Sequence, residues 1–178
     1  MKRRSHLRVG VITVVCLSLG SAVYAQTQAS APSPAPSTVQ KESAMARHAS
    51  GPFDVKLNPQ PSDDKAEGST LGRLSIDKQY HGDLEASGKG QMLTAMTEVK
   101  GSAGYVAIER VTGSLHGRSG SFVFQHSSTL TRGAPLQSIT VVPDSATGQL
   151  VGLTGKMVVN IVDGKHSYDF EYKLPTEK

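Results

Sequence analysis

The last stretch of the chain limits its fold most. Tyr168, Phe170, Tyr172 and Leu174 alternate with Ser167, Asp169, Glu171 and Lys173. Large apolar side chains at every second position, with polar or charged ones between, fit a strand with one buried and one wetted face. The same period runs through Phe53, Val55 and Leu57 against Asp54, Lys56 and Asn58. Further strands are expected over residues 71–80, 84–98, 105–116, 121–131, 136–142 and 153–162. No segment shows the 3.6-residue period of an amphipathic helix of useful length. Turn signals separate the strands at Lys100-Gly101, Gly117-Arg118-Ser119-Gly120, Ala146-Thr147-Gly148 and Asp163-Gly164. An Asp-Gly pair between two alternating runs marks a hairpin, because both residues tolerate positive φ.

About eight strands joined by short turns predict an all-β chain forming a single closed antiparallel β-barrel, since closure leaves no exposed edge. An outer-membrane barrel would turn an apolar face with aromatic girdles toward lipid. Here the face opposite Tyr168, Phe170 and Tyr172 carries Asp169, Glu171 and Lys173, and Trp is absent. The expected barrel is a soluble one.

Residues 1–25 read as a signal peptide. A basic start with Lys2, Arg3, Arg4 and Arg8 precedes an apolar run over residues 9–19, and Val23 and Ala25 supply small residues before Gln26. The run falls well short of the ~20 residues needed to cross a bilayer, so no membrane span is expected after cleavage. Arg3-Arg4 with Leu7 partly matches a twin-arginine signal, which leaves the export route open. Residues 26–50, with Pro32, Pro34 and Pro36 among small residues, read as a disordered linker, leaving 51–178 for the barrel. The expected location is periplasmic or secreted.

Charge supports that division. The chain has 19 Lys and Arg against 15 Asp and Glu, and four of the basic residues fall in the leader, so the remainder balances at zero. A balanced domain without Trp argues against nucleic acid as a partner. The single cysteine, Cys16, lies in the leader, so disulfides, thiolate metal sites and thiol catalysis drop out downstream. His48, His81, His116, His126 and His166 show no metal-ligand spacing. Gly88-Lys89-Gly90 does not continue as a phosphate-binding loop, and no nucleophile elbow occurs. No metal and no cofactor is expected.

Two groups of residues are candidates for chemistry. His126 is in phase with Phe122 and Phe124, and Glu109 with Tyr105, Ala107 and Val111 on the preceding strand. These strands are expected to pair, which puts Glu109 near His126 as a carboxylate orienting an imidazole, the unit of acid–base catalysis. A structural hydrogen-bonded pair is the competing reading, and a one-residue slip would reverse both faces. His81, with Asp83 beyond Gly82, is expected at a bend aimed into the barrel mouth. His116 and His166, beside turn glycines, are expected to be solvated. Tyr105, Phe122, Phe124, Tyr168 and Tyr172, with His81, are the candidate ligand-binding residues, as the lining of an interior pocket.

Several blocks resemble a known bacterial family: Lys56 to Pro61, Ser75 to Glu85, Gly101 to Arg110, Gly113 to Phe122 and Ile161 to His166. The resemblance spans about residues 46–175. That family is a domain of unknown function whose barrel is similar to allene oxide cyclase. It implies a small β-barrel with a pocket and no established catalytic residue. Its members begin near Met45 and lack an export signal, so the leader sets this chain apart. Three functions follow as expectations. The first is an exported module holding a small apolar or amphipathic ligand in the barrel. The second is a packed structural or partner-binding barrel. The third, by fold analogy alone, is a cofactor-independent isomerase or cyclase acting on a lipid-like substrate.

Overall fold

A computed structural model describes residues 45–61, 65–66 and 68–175. Residues 1–44, read above as a signal peptide and most of a linker, lie outside the described residues.

Among the described residues nine strands form one antiparallel sheet: β1 (Arg47–Gln60), β2 (Lys65–Ala66), β3 (Ser69–Tyr80), β4 (Leu84–Thr97), β5 (Ala103–Leu115), β6 (Arg118–Thr131), β7 (Ala134–Val141), β8 (Thr154–Val162) and β9 (Lys165–Lys173). Eight of them close into a barrel, and β2 is a two-residue addition to the start of β3. Closure is the work of β1. Its first half pairs with β9 and its second with β3, and Phe53 faces both His166 and Tyr80 at the changeover. The barrel therefore starts at Arg47, with Ala49 already in the core. Residues 47–50, assigned above to the linker, belong to the first strand.

The hairpins turn where two consecutive residues take positive φ: His116-Gly117, Arg132-Gly133 and Asp163-Gly164. Such pairs give the turn a twist matching that of the strands. Asp163-Gly164 is the expected turn. The β5–β6 turn differs from expectation, because His116 adopts the left-handed conformation and Arg118, Ser119 and Gly120 extend β6 instead. No helix among the described residues is long and apolar enough to cross a membrane.

One seam is weak. β7 and β8 share only the pairs Ile139–Met157 and Thr140–Lys156. Beyond these the strands diverge, and Gln137 Oε1 accepts from the Val159 N–H at 3.3 Å in place of a backbone carbonyl. The connection after β7 runs back along β6, where the Thr147 N–H donates to the Ser121 carbonyl at 2.8 Å. It then folds a short 3₁₀ turn (Gly148–Leu150) over one barrel end, where Leu150 and Leu153 plug the core.

Behind that plug the interior is filled by rings. Phe122 meets Phe124 edge-on at 4.9 Å between centroids, Phe124 meets Phe170 at 5.2 Å, and Phe170 stacks on Tyr172 at 5.4 Å. A second group, Phe53, Tyr80 and Tyr168, lies in similar contact. Aromatic pairs at these separations gain beyond the area they bury.

Candidate functional site

Inward-facing positions of β3, β4, β5 and β6 meet in a buried polar cluster. Alternation points Lys78 and Tyr80 inward from β3, Glu109 from β5 and His126 from β6, and all four are buried. β4 contributes space. A Cβ on Gly88 would overlap Glu109 Oε1, and one on Gly90 would overlap the Ile108 carbonyl. Glu109 thus lies across β4 because that strand carries glycine at both inward positions. Gly88-Lys89-Gly90 is a cradle for a carboxylate of the chain's own.

The Glu109 carboxylate is surrounded by donors. Lys78 Nζ donates to Oε2 at 2.8 Å and the Tyr80 hydroxyl donates to Oε1 at 2.9 Å. Lys78 Nζ also reaches Tyr80 Oη at 3.2 Å and stands 5.1 Å from the centre of the Phe53 ring. His126 Nε2 is 3.0 Å from Oε2, yet its ring direction misses an aligned N–H···O bond. That contact is close in distance and poor in direction. Lys78 and Glu109 cancel in charge, which is how a buried carboxylate persists ionised. Burial alone would raise the Glu109 pKa, but the attraction of His126 and Lys78 outweighs it and the pKa falls below the ordinary carboxylate value. Tyr80 moves the other way. Burial, then the adjoining Glu109 charge, hold its phenol well above the usual pKa of 10.0.

The structure brings Glu109 and His126 together through a diagonal of the ladder, since Ala107 is the direct partner of His126 and Phe124 that of Glu109. It adds Lys78 and Tyr80, which sequence reasoning passed over. The signal was present, as Ile76, Lys78 and Tyr80 share one phase of β3. The other candidate residues do not gather in one place. Phe122, Phe124 and Tyr172 belong to the ring-filled end. Tyr168 braces the β3–β4 turn, accepting from the Leu84 N–H at 2.9 Å and donating to the His81 carbonyl at 3.0 Å. Burial, the largest cause, pushes its phenol up to about 12. The His81 side chain stays at the surface, within 3.6 Å of Glu85 and 3.9 Å of Asp54. The expected bend exists at Gly82, with φ of 94°, but it aims the His81 carbonyl inward and leaves the ring outside. His116 and His166 are less free than expected. His116 Nδ1 lies 2.7 Å from Tyr172 Oη, and the His166 ring packs on Phe53.

A second feature lies outside the barrel. A groove of about 730 Å³ crosses β3 to β7 over the register row Gly72, Thr94, Tyr105, Ser128 and Gln137. Its walls come from the neighbouring outward positions, chiefly Leu71, Leu93, Ala95, Val106, Thr129 and Leu136. Val106 and Leu93 are each more than half exposed, and Leu136 is 76% exposed. Single exposed apolar residues are ordinary, whereas these are contiguous and line one concave surface. Tyr105 is the one candidate ligand residue that touches this groove. Its own ring points inward, where its hydroxyl accepts from Gln137 at 3.3 Å.

Comparison with known proteins agrees with this architecture. No protein of curated function matches the chain. A crystal structure of a protein of unknown function from the DUF3224 family of Shewanella oneidensis MR-1 is 46% identical and superposes with a TM-score of 0.72. The match covers 75% of this chain and 100% of the Shewanella one. The family profile for DUF3224, proteins of unknown function, matches residues 49–172. The chain therefore belongs to the DUF3224 family.

Proposed function

We propose that the protein is an exported binding module for a small apolar or amphipathic molecule, and that the binding surface is the outer groove of β3–β7. The observation that carries this reading is the groove itself: about 730 Å³ walled by Leu71, Leu93, Val106 and Leu136. That volume lies in the range of small-molecule sites, which are mostly apolar. The interior is a poorer host, because Phe122, Phe124, Phe170 and Tyr172 pack ring against ring there. Glu109 and His126 are sealed among core residues, with exposures of 0% and 4%. A general acid or base must reach the proton that it moves. The buried cluster is accordingly read as structural and the chain as a binder with no catalytic step.

A neutral apolar fluorophore, N-phenyl-1-naphthylamine, tests the reading. It should bind saturably, and Leu93→Glu or Val106→Glu should abolish binding without lowering the urea midpoint. No saturable binding, or binding removed by Phe124→Leu and untouched by Leu93→Glu, would overturn it. Export is tested separately by fractionating cells that express the full chain. A periplasmic or secreted product starting at Gln26 is expected, and uncleaved chain in the cytoplasm alone would refute export.

A further inference from the structure

We infer that the outer groove takes a free single-chain amphiphile with a carboxylate head, lying along β4 and β5 with its head at Arg110. The inference rests on the groove reading above and adds the ligand's charge and direction. Three hollows on the outer face are contiguous. The 730 Å³ groove shares Leu93 and Val106 with a hollow of about 300 Å³, which shares Gln91 and Ile108 with one of about 530 Å³. Together they form a trough running along the strands.

The trough changes character along its length. Its first part is walled by Leu71, Leu93, Val106 and Leu136. Its last is lined by Asn58, Ser75, Asp77, Lys89, Gln91 and Arg110, among others. From Gly104 to Arg110 the strand advances ~20 Å at ~3.3 Å per residue. One leaflet of hydrocarbon is ~15 Å deep, half of a ~30 Å bilayer core. An acyl chain lying over Gly104 to Ile108 would thus bring its head to Arg110.

The charges decide which head. On the outward positions that line the trough, β4, β5, β6 and β7 carry no carboxylate. Asp77 on β3 is bound to Lys89 at 2.6 Å. Arg110 is exposed and forms no ion pair among the described residues. A guanidinium beside an apolar strip can hold a carboxylate through two parallel hydrogen bonds while the tail leaves water. The concave shape favours a single free chain over a bilayer, since a flat lipid surface would not reach the trough floor.

The test titrates protein purified from cells expressing the full chain with dodecanoate and with 1-dodecanol, by calorimetry. A charge-assisted pair predicts that dodecanoate binds roughly tenfold more tightly. Arg110→Gln should bring the two within about twofold while leaving dodecanol unchanged, and Leu93→Glu should abolish both. Equal affinities in the parent protein, or a preference that survives Arg110→Gln, would overturn the carboxylate head and leave the groove standing. Failure of both ligands to bind, or indifference to Leu93→Glu, would overturn the groove reading and this inference with it. Binding to anionic vesicles with none to monomeric dodecanoate, or protein self-association blocked by Leu93→Glu, would likewise replace the proposed occupant.

Discussion

Glu109 Oε1 occupies the space in which a side chain at Gly88 would begin. One residue's missing Cβ and another's carboxylate are parts of a single packing solution. Gly88→Ala should therefore destabilise the fold by about 1–3 kcal/mol, the usual cost of overpacking. Pairing it with Glu109→Ala, which vacates the same space, should cost less than the two single changes summed. A double-mutant cycle by urea denaturation measures the difference. Strict additivity would separate the two residues energetically.

Removing one partner of the buried ion pair should cost far more than the pair contributes. Glu109→Gln leaves Lys78 charged and buried, with an expected loss of about 3–5 kcal/mol. Changing Lys78→Met as well removes the stranded ammonium and should recover a large part of that loss. Urea midpoints of the three variants decide it.

Acid should weaken the barrel through the same carboxylate. The Glu109 pKa is lower in the folded chain than in the unfolded one. Its contribution is complete above the ordinary value of ~4.3 and is lost as pH falls through the lower folded value. The urea midpoint of the parent protein should fall below about pH 4, and Glu109→Gln should flatten that limb. Parallel limbs in the two proteins would contradict the linkage.

Alkali should act through Tyr168, whose phenol is raised from 10.0 to about 12. A raised pKa gives stability that is complete below ~10 and lost as pH climbs toward the folded value. Tyr168→Phe should make this limb shallower, and the part that remains belongs to Tyr80, whose buried phenol is raised as well. At neutral pH it should also cost about 1–3 kcal/mol, because the Leu84 N–H loses its buried acceptor. Thermal melts at pH 7 and pH 11 test both statements.

The strands and their faces were largely legible in the sequence because period-two alternation is a local property, as in Tyr168 to Leu174. Closure was legible only as a preference, since it depends on β1 pairing with two strands that lie far apart in the chain. The start of β1 escaped notice because Arg47 to Ser50 carry just one core residue, the small Ala49. The β5–β6 turn was misplaced because His116 takes a conformation usually left to glycine. Of the polar cluster, Glu109 and His126 stood out because apolar neighbours surround them on their own strands. Lys78 did not, since a lysine in an alternating strand is ordinarily counted on the wet face. The outer groove escaped for the opposite reason. Tyr105-Val106-Ala107-Ile108 is apolar in both phases, and alternation assigns core to one of them only.

The β7–β8 seam gives the closed sheet a place to come apart. Every other junction of the eight-stranded ring must break a longer ladder, whereas this one needs only two registered pairs and the Gln137 bridge to yield. Amide protons of Ile139, Met157 and Val159, which point into the seam, should exchange with solvent sooner than those of β4 and β5, by openings that leave the remaining strands folded. The ring therefore behaves, on the timescale of exchange, as a ribbon with a clasp.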